Sequence, residues 1–346
     1  MTAETLTLRR PDDWHLHLRD GDEMRAVLGF TVQRFARAIV MPNLKPPVTT
    51  VEQARAYRER ILVACPARSP FEPLMTLYLT EQTLPAEIDR ARASGFIAGV
   101  KLYPAGATTH SEAGVRSLAK VSGVLERMER SGLPLLIHGE VTDAQVDVFE
   151  REQQFIETEL APLVARFAGL KVVLEHITTR AGAEFVRGAR AGVAATITPQ
   201  HLLLNRNALF AGGMRPHHYC VPVPKAETDR QALLQAAVSG DPKFFLGTDS
   251  APHARSAKES ACGCAGVFSA HAAIELYAEA FEAAGALERL PGFASEFGAD
   301  FYGLPRNSGN ITLVKESWRA PSHYAFGSET LVPLRAGEAI AWRLAP

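Results

Sequence analysis

Apolar runs of strand length recur along the chain. They cover Leu6 to His17, Ala38 to Met41, Leu74 to Leu79, Ala98 to Tyr103, Pro134 to His138, Lys171 to His176, Val193 to Thr198 and Lys243 to Asp249. Amphipathic stretches rich in Ala, Glu and Arg separate most of them: Val51 to Cys65, Glu112 to Ser131, Gln153 to Phe167, Ala181 to Ala191, Glu227 to Val238 and Val267 to Ala284. Thr50 and Ser111 stand where helix N-caps are expected. Strands alternating with helices predict βα units and a parallel sheet. Eight such units predict an α/β fold of the (β/α)8 TIM barrel type. An open doubly wound sheet is the competing fold, weakened because no Gly-rich phosphate or dinucleotide loop follows the first strand. The pattern predicts a single domain over residues 1–346, with a C-terminal extension from about residue 286. In that extension Ile311 to Lys315 and Thr330 to Pro333 read as short strands.

Composition narrows the function classes. The chain has 346 residues, 47% of them hydrophobic, enough to bury a large core, and a formal charge of −1. No basic excess points to nucleic acid or anionic lipid. Met1 to Arg10 lacks a signal-peptide pattern, and no apolar run is long enough to span a bilayer. The four cysteines, Cys65, Cys220, Cys262 and Cys264, suggest no disulfide framework, so a reduced, cytoplasmic protein is expected. Cys262-Gly263-Cys264 reads as a structural loop ahead of a soft-metal site, because no second Cys pair accompanies it.

The segment Asp13-Trp14-His15-Leu16-His17-Leu18-Arg19-Asp20 carries the strongest chemistry. Side chains at i and i+2 of a strand share a face, so His15 and His17 would present two imidazoles to one cation. In a parallel barrel the chemistry gathers at the C-terminal strand ends. Lys101, His138, His176 and Asp249 all fall there. Alone, each has an ordinary reading: a hydrogen-bonded structural histidine, a lysine snorkelling to the rim, an aspartate in a turn. Together they are better explained by a metal centre. Imidazole and carboxylate ligands suit zinc. Four neutral imidazoles and one aspartate bring one negative charge, so two divalent cations call for anionic bridges. A hydroxide is one; a carbamate formed on Lys101 from carbon dioxide is another. The residues alone do not separate that carbamate from a salt bridge at Lys101.

These residues resemble the amidohydrolase superfamily and, within it, the short bacterial class II dihydroorotase family. The matching segments run from Asp13 to Gly21, Met41 to Pro47, Gly99 to Pro104, Ile137 to Glu140, Leu174 to Thr178, Thr198 to His201, Gly247 to His253 and Cys262 to Gly266. The resemblance implies a metal-dependent hydrolase barrel with two zinc ions. His15 and His17 would bind one zinc with Asp249; His138 and His176 would bind the other. A carboxylated Lys101 and a hydroxide would bridge them. It implies reversible cyclisation of N-carbamoyl-L-aspartate to L-dihydroorotate, with Asp249 as the catalytic base and acid. Arg19, Asn43 and His253 would hold the substrate carboxylate, and backbone groups near Val221 and Ala265 the ring. Thr108 and Thr109, on a loop that follows the fourth strand, would reach the substrate as a lid. It also implies a homodimer. Glu140 and His201 read as supports for the metal ligands or as structural residues. A salt bridge to Asp20 or Asp22 is the ordinary alternative for Arg19.

Other cyclic amidases, such as hydantoinases and allantoinases, use the same metal core. They carry a small β domain built from both chain ends, for which the N-terminus here leaves little room. A metal-free barrel enzyme and a non-catalytic scaffold of the same fold are the remaining alternatives. The first needs structural histidines; the second would have lost metal ligands.

Overall fold

The first apolar segment divides into two strands with separate partners. β1 (Thr5–Arg9) pairs antiparallel with Asn310–Val314, and only β2 (Asp12–Leu16) enters the barrel. Pro11 lies at the break, where a residue without an N–H ends a ladder. The computed structural model describes residues 4–67 and 69–346. The leader reading therefore lies partly outside the described residues, at Met1 to Ala3.

Seven strands follow β2 in the same sheet, in chain order and all parallel: β3 (Arg37–Val40), β4 (Glu72–Tyr78), β5 (Ile97–Leu102), β6 (Leu135–His138), β7 (Val172–Glu175), β8 (Val193–Ile197) and β9 (Phe244–Leu246). The two ends of the sheet meet through a parallel bridge between Leu16 and Ser250. His17 N donates to Ser250 O at 2.9 Å there, and Asp249 N to His15 O at 2.8 Å. This is the predicted (β/α)8 barrel.

Inside the barrel, Trp14, Ile39, Leu74, Leu136, Val173, Ala194 and Phe245 form an apolar layer. Strand alternation then sets the next layer: His138 stands two residues beyond Leu136 and Glu175 two beyond Val173, on the same inward face. At the N-terminal face the guanidinium of Arg37 grips the buried carboxylate of Asp12 at 2.6 and 3.0 Å. Tyr302, from the helix Phe297–Tyr302, stacks on Trp14 with centroids 4.7 Å apart.

Two helices carry too little sequence contrast to stand out from the pattern. α1 (Gly21–Arg34) includes Gly29, Thr31 and Val32, which weigh against a helix. It forms because Asp20 caps Gly21 N and because Met24, Val27 and Leu28 are buried on the barrel. α3 (Pro85–Ser94) buries only Glu87, Ile88 and Ala91, and is bounded by Pro85 and by Gly95 at φ 74°. Between them α2 (Val51–Ala64) matches expectation, with Thr50 and Gln53 in a reciprocal capping box.

The stretch from Glu112 departs from the helix expected there. Only α4 (Ser122–Ser131), after a 3-10 turn at Leu118–Val121, is α-helical. Ser111 is no helix cap; it accepts from Thr108 N at 2.9 Å and donates to Thr108 O at 2.6 Å inside a loop. Gly114 packs so close to the backbone that a Cβ would lie 2.3 Å from Tyr103 O. In the C-terminal extension, Asn310–Val314 and Glu329–Leu331 are strands. Arg343–Leu344 joins β1 and Asn310–Val314 in a three-stranded sheet. The chain ends do therefore build a small sheet together. Among the described residues no helix is long and apolar enough to cross a membrane.

Gly298 is needed where the helix Phe297–Tyr302 crosses Trp14: a Cβ there would lie 2.0 Å from Trp14 Nε1. The ring is held by Tyr302 and cannot yield. Gly298→Ala is expected to cost about 1–3 kcal/mol through overpacking. Urea unfolding measures it, and an unchanged midpoint would contradict this close packing.

Candidate functional site

Four of the residues at the C-terminal mouth meet directly. His15 Nε2, His17 Nε2 and Asp249 Oδ1 form a triangle with sides of 3.1, 3.3 and 3.4 Å. His15 Nδ1 lies 3.0 Å from Glu175 Oε1, yet neither atom has an aligned hydrogen bond. His176 Nδ1 is likewise buried without a partner, and its ring centroid is 4.9 Å from that of His138. Two of these residues hold left-handed backbone, His176 at φ 43° and Asp249 at φ 44°. Such strain in non-glycine residues is found where geometry serves a site.

The donor set fits a metal. A tetrahedral zinc with bonds of about 2.1 Å needs its ligand atoms about 3.4 Å apart, which is the spacing of the His15, His17, Asp249 triangle. His15, Glu175 and His176 form a second group whose ligand atoms lie within 4.8 Å of one another. His138 Nε2 donates to Glu140 Oε2 at 2.9 Å, which leaves Nδ1 as the nitrogen with a lone pair for a cation.

The electrostatics point the same way. Burial opposes charge on His15, yet the carboxylates of Glu175 and Asp249 hold its imidazole up at about 9. Asp249 sits well below the usual carboxylate range despite its burial, because the imidazoles of His15 and His17 lie against its Oδ1. Burial pushes His17 down to about 4 and His176 well below its ordinary value. A proton on His15 and a cation in the triangle are alternative partners for the same negative charge.

Lys101 is completely buried and pairs with the carboxylate of Glu175. Burial lowers the lysine; Glu175 stays ionised against its own burial because His15 and Lys101 flank it. Sequence reading missed Glu175. The available signal was its place two residues beyond Val173, on the inward parity of β7.

Arg19, Asn43, Thr108, Thr109, Val221 and Ala265 all line one narrow cleft with His15, His17, His138, His176 and Asp249. Arg19 is only 9% exposed and has no carboxylate within salt-bridge distance among the described residues. Asp20 pairs instead with Arg60 and Asp22 with Arg25, so the salt bridges considered for Arg19 are absent. Its left-handed backbone, φ 64°, is held by Tyr57 Oη, which donates to Arg19 O at 2.5 Å. Arg19 Nη2 and Ala265 O lie 2.9 and 3.0 Å from His253 Nε2, which can serve only one of them at a time.

The Asn43 amide has two partners. Its Oδ1 accepts from His17 Nδ1 at 2.8 Å, and its Nδ2 donates to Thr109 O at 3.2 Å. It therefore ties a metal-type histidine to the loop after β5. Tyr103 also faces the cleft, with a buried hydroxyl that has no partner. His201 does not reach the metal-type residues. It bonds Thr198 Oγ1 at 2.8 Å and Pro222 O at 3.0 Å, and so anchors the segment that carries Val221. Cys262 is exposed, and neither it nor Cys264 belongs to a cluster with metal-ligand spacing among the described residues.

The sequence matches the amidohydrolase family over residues 13–316. A dihydroorotase of Laribacter hongkongensis is 65% identical over 342 residues, covering 99% of each chain. Among solved structures, the dihydroorotase of Campylobacter jejuni superposes with a TM-score of 0.92 at 36% identity, over 100% of this chain and 99% of that one. The Saccharomyces cerevisiae dihydroorotase, solved with 5-fluoroorotic acid, gives 0.90 at 34% identity and 99% coverage of both chains.

Asn43→Ala removes the acceptor that fixes the His17 ring. Loss of such an outer partner typically weakens metal affinity by about 10–100-fold. Metal retained after dialysis against a graded chelator should fall accordingly; retention equal to that of the wild type would mean that Asn43 does not orient His17.

Proposed function

The chain belongs to the amidohydrolase family and, within it, to the dihydroorotases of pyrimidine biosynthesis, and from that premise we propose a binuclear zinc enzyme that interconverts N-carbamoyl-L-aspartate and L-dihydroorotate. His15, His17 and Asp249 would hold one zinc, His138 and His176 the other, and a carboxylated Lys101 would supply a further anionic ligand. When bound, the zinc pair supplies a hydroxide near neutral pH and polarises the amide carbonyl. Asp249 moves a proton through its carboxylate, from the attacking water to the ring nitrogen as it leaves, and back again in cyclisation.

Arg19 is the observation that carries the substrate assignment. A buried guanidinium without a carboxylate partner, at the rim of a metal-type cluster, supports a substrate that brings its own carboxylate. Asn43 and His253 complete that pocket, Val221 and Ala265 hold the ring through backbone groups, and Thr108 and Thr109 close over it. The lowered basicity of buried Lys101 supports carboxylation, which requires the free amine. Its ion pair with Glu175 opposes it. Both bear on the choice, and the lysine variant below decides it. The reading includes one domain, a homodimer and a cytoplasmic setting.

L-Dihydroorotate should be hydrolysed and hydantoin and allantoin left intact when the three are assayed side by side. Turnover of hydantoin at a comparable rate would move the substrate assignment. Purified protein should carry close to two zinc ions per chain by elemental analysis. Lys101→Ala should lose activity, with partial return on addition of a short carboxylic acid; unchanged turnover removes Lys101 from the site. Arg19→Ala should raise KM for dihydroorotate by about 100-fold, the loss of charge-assisted hydrogen bonds. An unaltered KM sinks the carboxylate clamp.

A further inference from the structure

One buried cation takes no part in this scheme. Lys258 ends the short helix Arg255–Lys258, is 3% exposed, and has no carboxylate within salt-bridge distance among the described residues. Burying an ammonium without a counter-charge is costly unless its hydrogens are satisfied. All three are: Lys258 Nζ donates to Tyr219 O at 2.7 Å, Cys264 O at 2.8 Å and Gly266 O at 2.7 Å.

Those carbonyls belong to two irregular segments that form one wall of the cleft. Val221 lies two residues beyond Tyr219, and Ala265 between Cys264 and Gly266; Val221, Ala265 and Gly266 line the cleft. No strand pairing joins the two segments. They meet through Gly266 N, which donates to Tyr219 O at 3.0 Å. Gly266 has φ 152°, and a Cβ there would lie 2.6 Å from Ala251 O and 2.8 Å from His253 Cδ2. The wall thus closes tightly onto the strand-end loop of β9, and the ammonium stands behind it, away from the cleft's lining.

We propose that Lys258 is a positioning residue for the cyclic amide: its three hydrogen bonds lock the two segments together, aim the backbone groups of Val221 and Ala265 into the cleft, and thereby set KM without touching substrate or metal. This rests on the reading that Val221 and Ala265 hold the substrate ring. An apolar side chain of similar length fills the same space but leaves the carbonyls of Cys264 and Gly266 without that donor, and the segments joined only by the backbone bond from Gly266 N to Tyr219 O.

Steady-state hydrolysis of L-dihydroorotate by the wild type, Lys258→Met and Lys258→Gln tests it, with zinc content and Tm measured on each. KM is expected to rise about tenfold in Lys258→Met and by less in Lys258→Gln, which keeps two N–H donors, with kcat changed by less than about twofold. A folded, zinc-loaded variant with a KM within about twofold of the wild type overturns the proposal. So does a loss confined to kcat, or one that tracks lost zinc. Should Lys258→Met not be recovered folded, Lys258→Gln decides alone on the same criteria. Wild type that does not hydrolyse dihydroorotate removes the underlying substrate reading, and this inference with it.

Discussion

The joint between the first and last barrel strands governs the rest of the site. β2 and β9 are short and meet through few backbone bonds, so a side chain completes the seam. Asp13 accepts from His15 N at 3.2 Å, Thr248 N at 2.9 Å and Thr248 Oγ1 at 2.6 Å. Burial pushes this carboxylate up to about 6, and the bonds from Thr248 and His15 work against that rise. A carboxylate placed there at such cost fixes the backbone on both sides of the seam. His15 and His17 stand on one side of it and Asp249 on the other, and the sides of their triangle are set by how closely the two strands approach. The strained backbone of Asp249 follows from the same constraint, since its N–H must reach His15 O while its carboxylate turns inward.

Below this seam the barrel is filled by apolar side chains, and that controls the charge. The layer of Trp14, Ile39, Leu74, Leu136, Val173, Ala194 and Phe245 offers no hydrogen bonds to the groups above it. Every charge at the mouth must be balanced sideways, by neighbours of the same layer. Lys101 and Glu175 do this for each other, and His15 stands between Glu175 and Asp249. Two carboxylates and a lysine in low dielectric raise the cost of any single removal, because the partner left behind is buried and uncompensated. The site is therefore coupled as a unit. Groups outside the cluster support it: Glu140 stands behind His138, and His201 behind the segment that carries Val221.

Much of this was legible in the sequence because strand chemistry is local. Period-two alternation and the strand-end rule located His15, His17, His138, His176 and Asp249 before any distance was known. Eight strand segments were read with boundaries close to those observed; only the first, divided at Pro11, was misread in kind. Helices α1 and α3 escaped because their stability comes from caps and docking, not from a contrasted face. The region after Glu112 read as a continuous helix because its composition is helical; tertiary contact of Gly114 with Tyr103 overrides that. Glu175 escaped for a different reason. Beside His176 it looks like an ordinary polar strand end, and only the pairing with Lys101 across the barrel reveals it. Lys258 was invisible, since its partners are backbone carbonyls, which sequence does not mark.

Charge balance also separates what the metal-type cluster says from what Arg19 says. The triangle of His15, His17 and Asp249 would serve any cyclic amide, because hydrolysis of the ring needs only an activated water and a polarised carbonyl. Arg19 adds a buried positive charge that no carboxylate within salt-bridge distance offsets among the described residues. Its neighbours Asp20 and Asp22 are committed to Arg60 and Arg25, and Tyr57 holds its backbone so that the guanidinium faces Pro252, His253 and the cleft. A carboxylate arriving at about 4 Å gains on the order of 4 kcal/mol of Coulomb energy at the effective dielectric of such a rim. A neutral ring gains none of this and must still leave the cation buried. On the proposed reading, selectivity for an acidic cyclic amide comes from a counter-ion that the protein omits, not from a contact it adds.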